Sequence, residues 1–218
     1  MDRWYTMVGL LACMLLVAYF TSSTPLEIAA TTSGLLSVWL TARQNIWCFP
    51  VGLVNVACFF VMFYDAKLYA DMTLQVVFFV LSIQGWIVWL TKRGQAKVRP
   101  TRRMTPQLGL LLALLLVVVT AGWGYVLARF TDASIPYVDA FIATLSILAQ
   151  LLLSNKVLEN WHFWIAVDVL SIGMYAYKEL YVLAALYVIF LGIATSGLIQ
   201  WRSEYRAAKR AGRMGVSL

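Results

Sequence analysis

The stretch Met62-Phe-Tyr-Asp-Ala-Lys-Leu-Tyr69, followed by an apolar run to Gly85 and Trp89, returns as Met174-Tyr-Ala-Tyr-Lys-Glu-Leu-Tyr181, followed by an apolar run to Gly197 and Trp201. Met62 and Met174, Leu68 and Leu180, Tyr69 and Tyr181, Gly85 and Gly197, and Trp89 and Trp201 are all separated by the same 112 positions. Five anchors in one register are hard to obtain by chance. Internally repeated membrane proteins are mostly transporters with a site between the repeats, so the repeat sets both the expected fold and the place to look for function.

That the repeat lies in a membrane follows from composition. Of 218 residues, 62% are hydrophobic and 12% charged, too little polarity to cover the surface of an ordinary soluble domain. Eight apolar stretches are long enough, or nearly so, to cross a hydrocarbon core of about 30 Å as helices: 4–21, 25–42, 45–64, 69–91, 107–129, 137–154, 161–177 and 182–201. The first is read as a retained helix, because Asp2 stands beside Arg3 and Ser22-Ser-Thr24 makes only a fair signal-cleavage site.

The linker Lys92-Arg-Gly-Gln-Ala-Lys-Val-Arg-Pro-Thr-Arg-Arg103 divides the chain. The predicted organisation is an extra N-terminal helix (1–24), a three-helix unit (25–91), the basic linker with one bland spacer helix (92–136), a second three-helix unit (137–201) and a basic tail (202–218). A single helix between the units makes the two repeats parallel, related by an axis along the membrane normal. With the N-terminus inside, 14 Lys and Arg face inward and Lys67, Arg129 and Lys178 face outward, which predicts both termini in the cytoplasm. The net charge of +7 then belongs to topology, with membrane lipid headgroups as the natural partner and no nucleic-acid role, for which a folded basic face would be needed. A homo-oligomer is left open. Cys13, Cys48 and Cys58 all fall within expected spans and read as small packing residues.

A charge within a membrane helix is costly and is by default a functional candidate. Asp168 sits in the middle of 161–177, and helical spacing puts Trp161, Trp164, Asp168, Ser171 and Tyr175 on one face. Two indoles and a carboxylate describe a cage for a cationic aromatic ligand; an aromatic belt with a structural Asp is the rival explanation. In the first unit Asn55 lies one residue off register with Asp168, so each middle helix carries an amide or carboxylate near mid-membrane. Gln75 is the repeat partner of Tyr187, and both present polar atoms from a third helix. Gln84 and Gln150 are expected as buried amides, equally suited to joining helices. His162, the one histidine, reads as interfacial rather than as a proton relay. No phosphate-binding loop is present, no metal site of the usual kind is expected, and no cofactor is called for.

These residues are recognisable. Asn55, Leu68-Tyr69, Leu74-Gln75, Gln84-Gly85-Trp86 and Trp89, with Leu158-Glu-Asn-Trp161, Trp164, Asp168, Ser171-Ile172 and Leu180-Tyr181, resemble the PnuC family of vitamin transporters, which includes nicotinamide riboside transporters and relatives proposed to carry thiamine. The resemblance covers roughly 28–90 and 137–201. It implies a SWEET-like fold, facilitated diffusion, and a cytoplasmic kinase that traps the substrate by phosphorylation. It places the pocket on Asn55, Gln75, Trp161, Trp164 and position 168, where riboside carriers are expected to have Asn and this chain has Asp168. Both nicotinamide riboside and thiamine are small cationic vitamin precursors that an anion would favour.

The expectation is therefore a passive carrier in a bacterial inner membrane, working by rocking of the two bundles about a site between Asn55 and Asp168. Nicotinamide riboside is ahead of thiamine, and a flavin is a distant third. An intramembrane enzyme is the rival of another class; it lacks a clustered acid, base and nucleophile. A channel would call for a filter of carbonyls or charges.

Overall fold

In a computed structural model of the chain, residues 24–65, 69–91, 97–132 and 134–214 are described, and they are helical almost throughout. The helices are α1 (Pro25–Ala42), α2 (Cys48–Asp65), α3 (Tyr69–Thr91), α4 (Pro106–Phe130), α5 (Pro136–Ser154), α6 (Asn160–Tyr177) and α7 (Tyr181–Met214). The expected first span, 4–21, with Cys13, lies outside the described residues, as do Lys67 and Leu68. Five of these helices, α2, α3, α4, α5 and α7, are long and apolar enough to cross a membrane. The two that fall short are α1, diluted by Thr31-Thr-Ser33, and α6, which carries Asp168.

Helix starts follow local chemistry. Thr24 and Glu27 form a reciprocal capping box, the Thr24 N–H donating to Glu27 Oε2 at 2.7 Å and the Glu27 N–H to Thr24 Oγ1 at 3.2 Å. Thr105 caps α4 by accepting from the Leu108 N–H at 3.3 Å, and α1, α4 and α5 all open with proline in the first turn, where its missing N–H costs nothing. Helix α2 begins at Cys48 rather than at 45. The carboxamide of Asn45 accepts from the Trp47 N–H at 3.0 Å and so holds a turn before the helix.

Three helix ends share one motif. Gln44, Lys156 and Glu179 have φ of 55°, 56° and 60°. Each N–H donates back to the helix as a Schellman turn requires, for example Lys156 to Leu153 O at 2.8 Å with Val157 to Leu152 O at 2.9 Å. Helix bounds recur at the interval of the sequence anchors: Ala42 and Ser154, Cys48 and Asn160, Asp65 and Tyr177, and Tyr69 and Tyr181 are each 112 residues apart.

The described residues divide into two compact units, one up to Ile87 and one from Val88 onward. In the first, α1 packs on α2. The approach is close at two glycines: a Cβ on Gly34 would lie 2.8 Å from Asn55 Nδ2, and one on Gly52 2.9 Å from Ser37 Oγ. Membrane helices use small residues in this way because lipid offers no hydrophobic force to drive them together. In the second unit α4 packs on α5, α5 on α6 and α6 on α7. Leu112, Leu148, Leu152 and Val157 form its core, while Leu110, Leu114 and Val117 on the other face of α4 are exposed. The tail expected after 201 is a continuation of α7 as far as Met214. Ser203 to Arg213 contains Ala, Arg, Lys and Glu without proline, so nothing stops the helix where the membrane segment ends.

Candidate functional site

Helix α6 lies between α5 and α7 in the second unit, and its polar face was expected to hold five residues on one stripe. Asp168 is 4% exposed, and among the described residues it forms no ion pair. One turn earlier, Trp164 is half-buried and takes no part in the ring pairs found among the described residues. One turn later Ser171 is buried. Tyr187 reaches in from α7, its ring 5.3 Å from that of Tyr175 and its hydroxyl close to Tyr175, Ser171 and Asp168. Phe190 backs the Tyr187 ring at 5.8 Å. Asp168, Trp164 and Tyr187 therefore share one side of α6. A carboxylate beside an available indole and two phenols suits a flat, positively charged ring: the anion supplies Coulomb attraction and the aromatic faces supply stacking.

Trp161 departs from the expected cage. It is 1% exposed, packed edge-to-face on Trp201 at 5.5 Å, and a Cβ on Gly197 would lie 2.6 Å from its indole carbons. Neither an open cage wall nor an interfacial belt describes it. The indole fills the space that Gly197 leaves, which gives the repeated glycine its physical reason, and among the described residues its buried Nε1 has no hydrogen-bond partner. His162, beside it, is exposed.

The remaining sequence candidates divide by unit. In the first, Asn55 Nδ2 donates to the Ala30 carbonyl at 2.6 Å, tying α2 to α1 against Gly34, so half of its amide is already engaged. Gln75 on α3 is 8% exposed. Gln84, expected as a buried amide, is exposed, because Gly85 and Trp89 take the inward face of that turn. In the second unit, Gln150 on α5 is half-buried and has an interaction partner. Asp139, near the start of α5, and Lys178, after the end of α6, form an ion pair at 3.1 Å.

Sequence reasoning missed Lys156. Counted among the basic residues that orient the chain, it is 0% exposed, its ammonium 3.5 Å from the Trp89 ring centroid and 4.8 Å from that of Trp201. The Trp89 Nε1–H donates to Leu153 O at 3.1 Å. The repeated pair Trp89 and Trp201 was the available signal, since tryptophans kept in register need something to pack on. Among the described residues no group of three His, Cys, Asp or Glu is placed to hold a metal ion.

The sequence model of the family described as "Nicotinamide mononucleotide transporter" matches residues 24–203. The nicotinamide riboside transporter PnuC of Escherichia coli (strain K12) is 27% identical over 206 residues, covering 83% of this chain and 86% of that protein. The riboflavin/roseoflavin transporter RibM of Streptomyces davaonensis is 23% identical over 181 residues, covering 81% and 84%. A crystal structure of the vitamin B3 transporter PnuC superposes with a TM-score of 0.75 at 24% identity, covering 92% of this chain and 90% of that one, which shows a shared fold.

Proposed function

The chain belongs to the nicotinamide mononucleotide transporter family, and from that premise we propose that it carries nicotinamide riboside across the membrane. The observation that carries the reading is Asp168, a buried carboxylate with no ion pair among the described residues, set beside Trp164 and Tyr187. A carboxylate so placed is expensive unless something positive joins it. The nicotinamide ring of the riboside is a permanent flat cation and meets that need. The same carboxylate argues against the mononucleotide as cargo, because a phosphate would bring negative charge toward it without a Lys or Arg paired there to receive it. It also argues against a flavin, whose ring is neutral.

Transport is passive in this reading, and a cytoplasmic kinase keeps the cargo inside by phosphorylating it. The chain is not an enzyme. Two parallel three-helix repeats, 25–91 and 137–201, carry the work, supported by helix ends and left-handed caps that recur 112 residues apart. The extra N-terminal helix brings the spans to eight, both termini are cytoplasmic and the membrane is the bacterial inner one, on the basic-residue asymmetry. Within the second unit, Gln150 and Trp161 serve the site as its support; Asn55 and Gln75 present their amides within the first unit.

Thiamine is the second reading, since Asp168 complements its thiazolium equally well. Titrating the purified protein with nicotinamide riboside, nicotinamide mononucleotide, thiamine and riboflavin tests both. Riboside binding with no response to the mononucleotide is expected; tight riboflavin binding would overturn the reading.

A further inference from the structure

The described residues ahead of α4, 97–105, are held by main-chain bonds within the second unit. The Arg99 N–H donates to Trp89 O at 2.9 Å, the Arg102 N–H to Lys156 O at 3.0 Å, and the Leu158 N–H to Arg102 O at 2.8 Å. These bonds gather Arg99 and Arg102 at the turn between α5 and α6, where Lys156 already lies over its two tryptophans. The acid of that turn, Glu159, is fully engaged: Oε1 pairs with Arg103, and Oε2 accepts the Met104 N–H at 2.8 Å.

Arg99 is left with a deficit. It is 5% exposed; among the described residues its Nη1 is buried with no hydrogen-bond partner, and neither Arg99 nor Arg102 forms an ion pair. Desolvation first, and the Arg102 guanidinium second, hold the Arg99 pKa below the usual arginine value. Arginine nevertheless stays protonated in proteins, so the charge cannot be shed and an acceptor must come from elsewhere. The adjoining residues 92–96, Lys-Arg-Gly-Gln-Ala, supply no acid.

We propose that Arg99, with Arg102 beside it, is a binding site for a phosphate group, separate from the Asp168 site. The planar fork of a guanidinium matches two phosphate oxygens, and a second cation beside it suits a group carrying more than one negative oxygen. The phosphate can come from an anionic lipid headgroup, as basic stretches next to membrane helices attract, or from a free phosphate. The site rests on the loop geometry alone and stands whichever vitamin the protein carries.

The test uses the full chain purified in neutral detergent. One arm replaces chloride by inorganic phosphate at constant ionic strength and follows the melting midpoint. The other follows retention of phosphatidylglycerol against phosphatidylcholine by native mass spectrometry. A free-phosphate site raises the wild-type midpoint by about 3 °C or more, and Arg99→Gln abolishes the rise; a lipid site keeps phosphatidylglycerol on the wild type and loses it in Arg99→Gln. In both cases Arg102→Gln, at an exposed residue, weakens the response, and Arg206→Gln on the exposed end of α7 leaves it intact. Without phosphate or anionic lipid, Arg99→Gln melts at or above wild type, because an unmatched charge has gone. No response to either source in the wild type, or a response that persists in both Arg99→Gln and Arg102→Gln, overturns the site.

Discussion

Asp168 and Trp164 are one helical turn apart and differ in what they can be asked to do. The carboxylate is 4% exposed, and an acid at mid-helix in a membrane costs about 2.5 kcal/mol or more when left alone, so its value to the protein lies in an occupied state. Asp168→Asn removes the charge at nearly constant volume. Affinity for nicotinamide riboside should fall about tenfold, equivalent to about 1.4 kcal/mol, with the fold intact, and titration calorimetry reads the loss. Because a permanent cation needs no proton for its charge, uptake by wild type and variant alike should ignore protonophores; concentrative uptake into kinase-free proteoliposomes would overturn passive transport. Trp164→Ala should weaken binding by about tenfold through a lost stacking or cation-π contact of about 1–2 kcal/mol. Trp161→Ala should behave differently. Its indole packs on Trp201 and Gly197, so truncation leaves a cavity costing about 3 kcal/mol, seen as a lower melting midpoint before any change in affinity.

Helices α6 and α7 are held together at one point of very close approach. A methyl group on Gly197 would come within 2.6 Å of the Trp161 ring, and that ring is itself braced by Trp201, so it has little room to retreat. Gly197→Ala should therefore destabilise the protein by about 1–3 kcal/mol through overpacking. Gly192, on the same helix, has nothing among the described residues within 4 Å of where its Cβ would stand, and Gly192→Ala should be neutral or stabilising by up to about 1 kcal/mol, the ordinary helix preference for alanine. Parallel thermal melts of the two variants read the contrast, and equal shifts would show that the approach is looser than the geometry indicates. The ion pair of Asp139 and Lys178 ties the start of α5 to the end of α6; with both side chains about a quarter exposed, it contributes at most about 1 kcal/mol.

For the whole molecule, the distribution of basic residues makes a topological claim. Fourteen Lys and Arg are assigned to one side and three to the other. Reporter fusions after residue 97 and after residue 134 should report opposite sides, inside and outside, because α4 alone lies between them. The same side for both would refute an inward N-terminus with eight spans.

The sequence by itself determined the helices. Apolar run lengths, the Thr24 and Thr105 caps and the prolines at 25, 106 and 136 are local signals, and local signals decide where a helix begins. It also determined Asp168, since a charge amid 161–177 is conspicuous in one dimension, and the interval of 112 to which helix ends at 42 and 154 conform. The tertiary structure alone decided what each side chain faces. Periodicity put Trp161 and Trp164 on one stripe, yet only the neighbouring α7, with a glycine at 197, fills the space around one indole and leaves the other without a ring pair among the described residues. Asn55 is legible in the sequence as a polar residue at mid-helix, but its bond to the Ala30 carbonyl at 2.6 Å is a contact across 25 positions that no local pattern encodes. Lys156 and Arg99 looked like two more members of a basic surface. Lys156 is buried over Trp89 and Trp201, and Arg99 and Arg102 are held by main-chain bonds to Trp89 and to the turn after α5; burial, unlike helicity, is fixed by what the rest of the chain brings alongside.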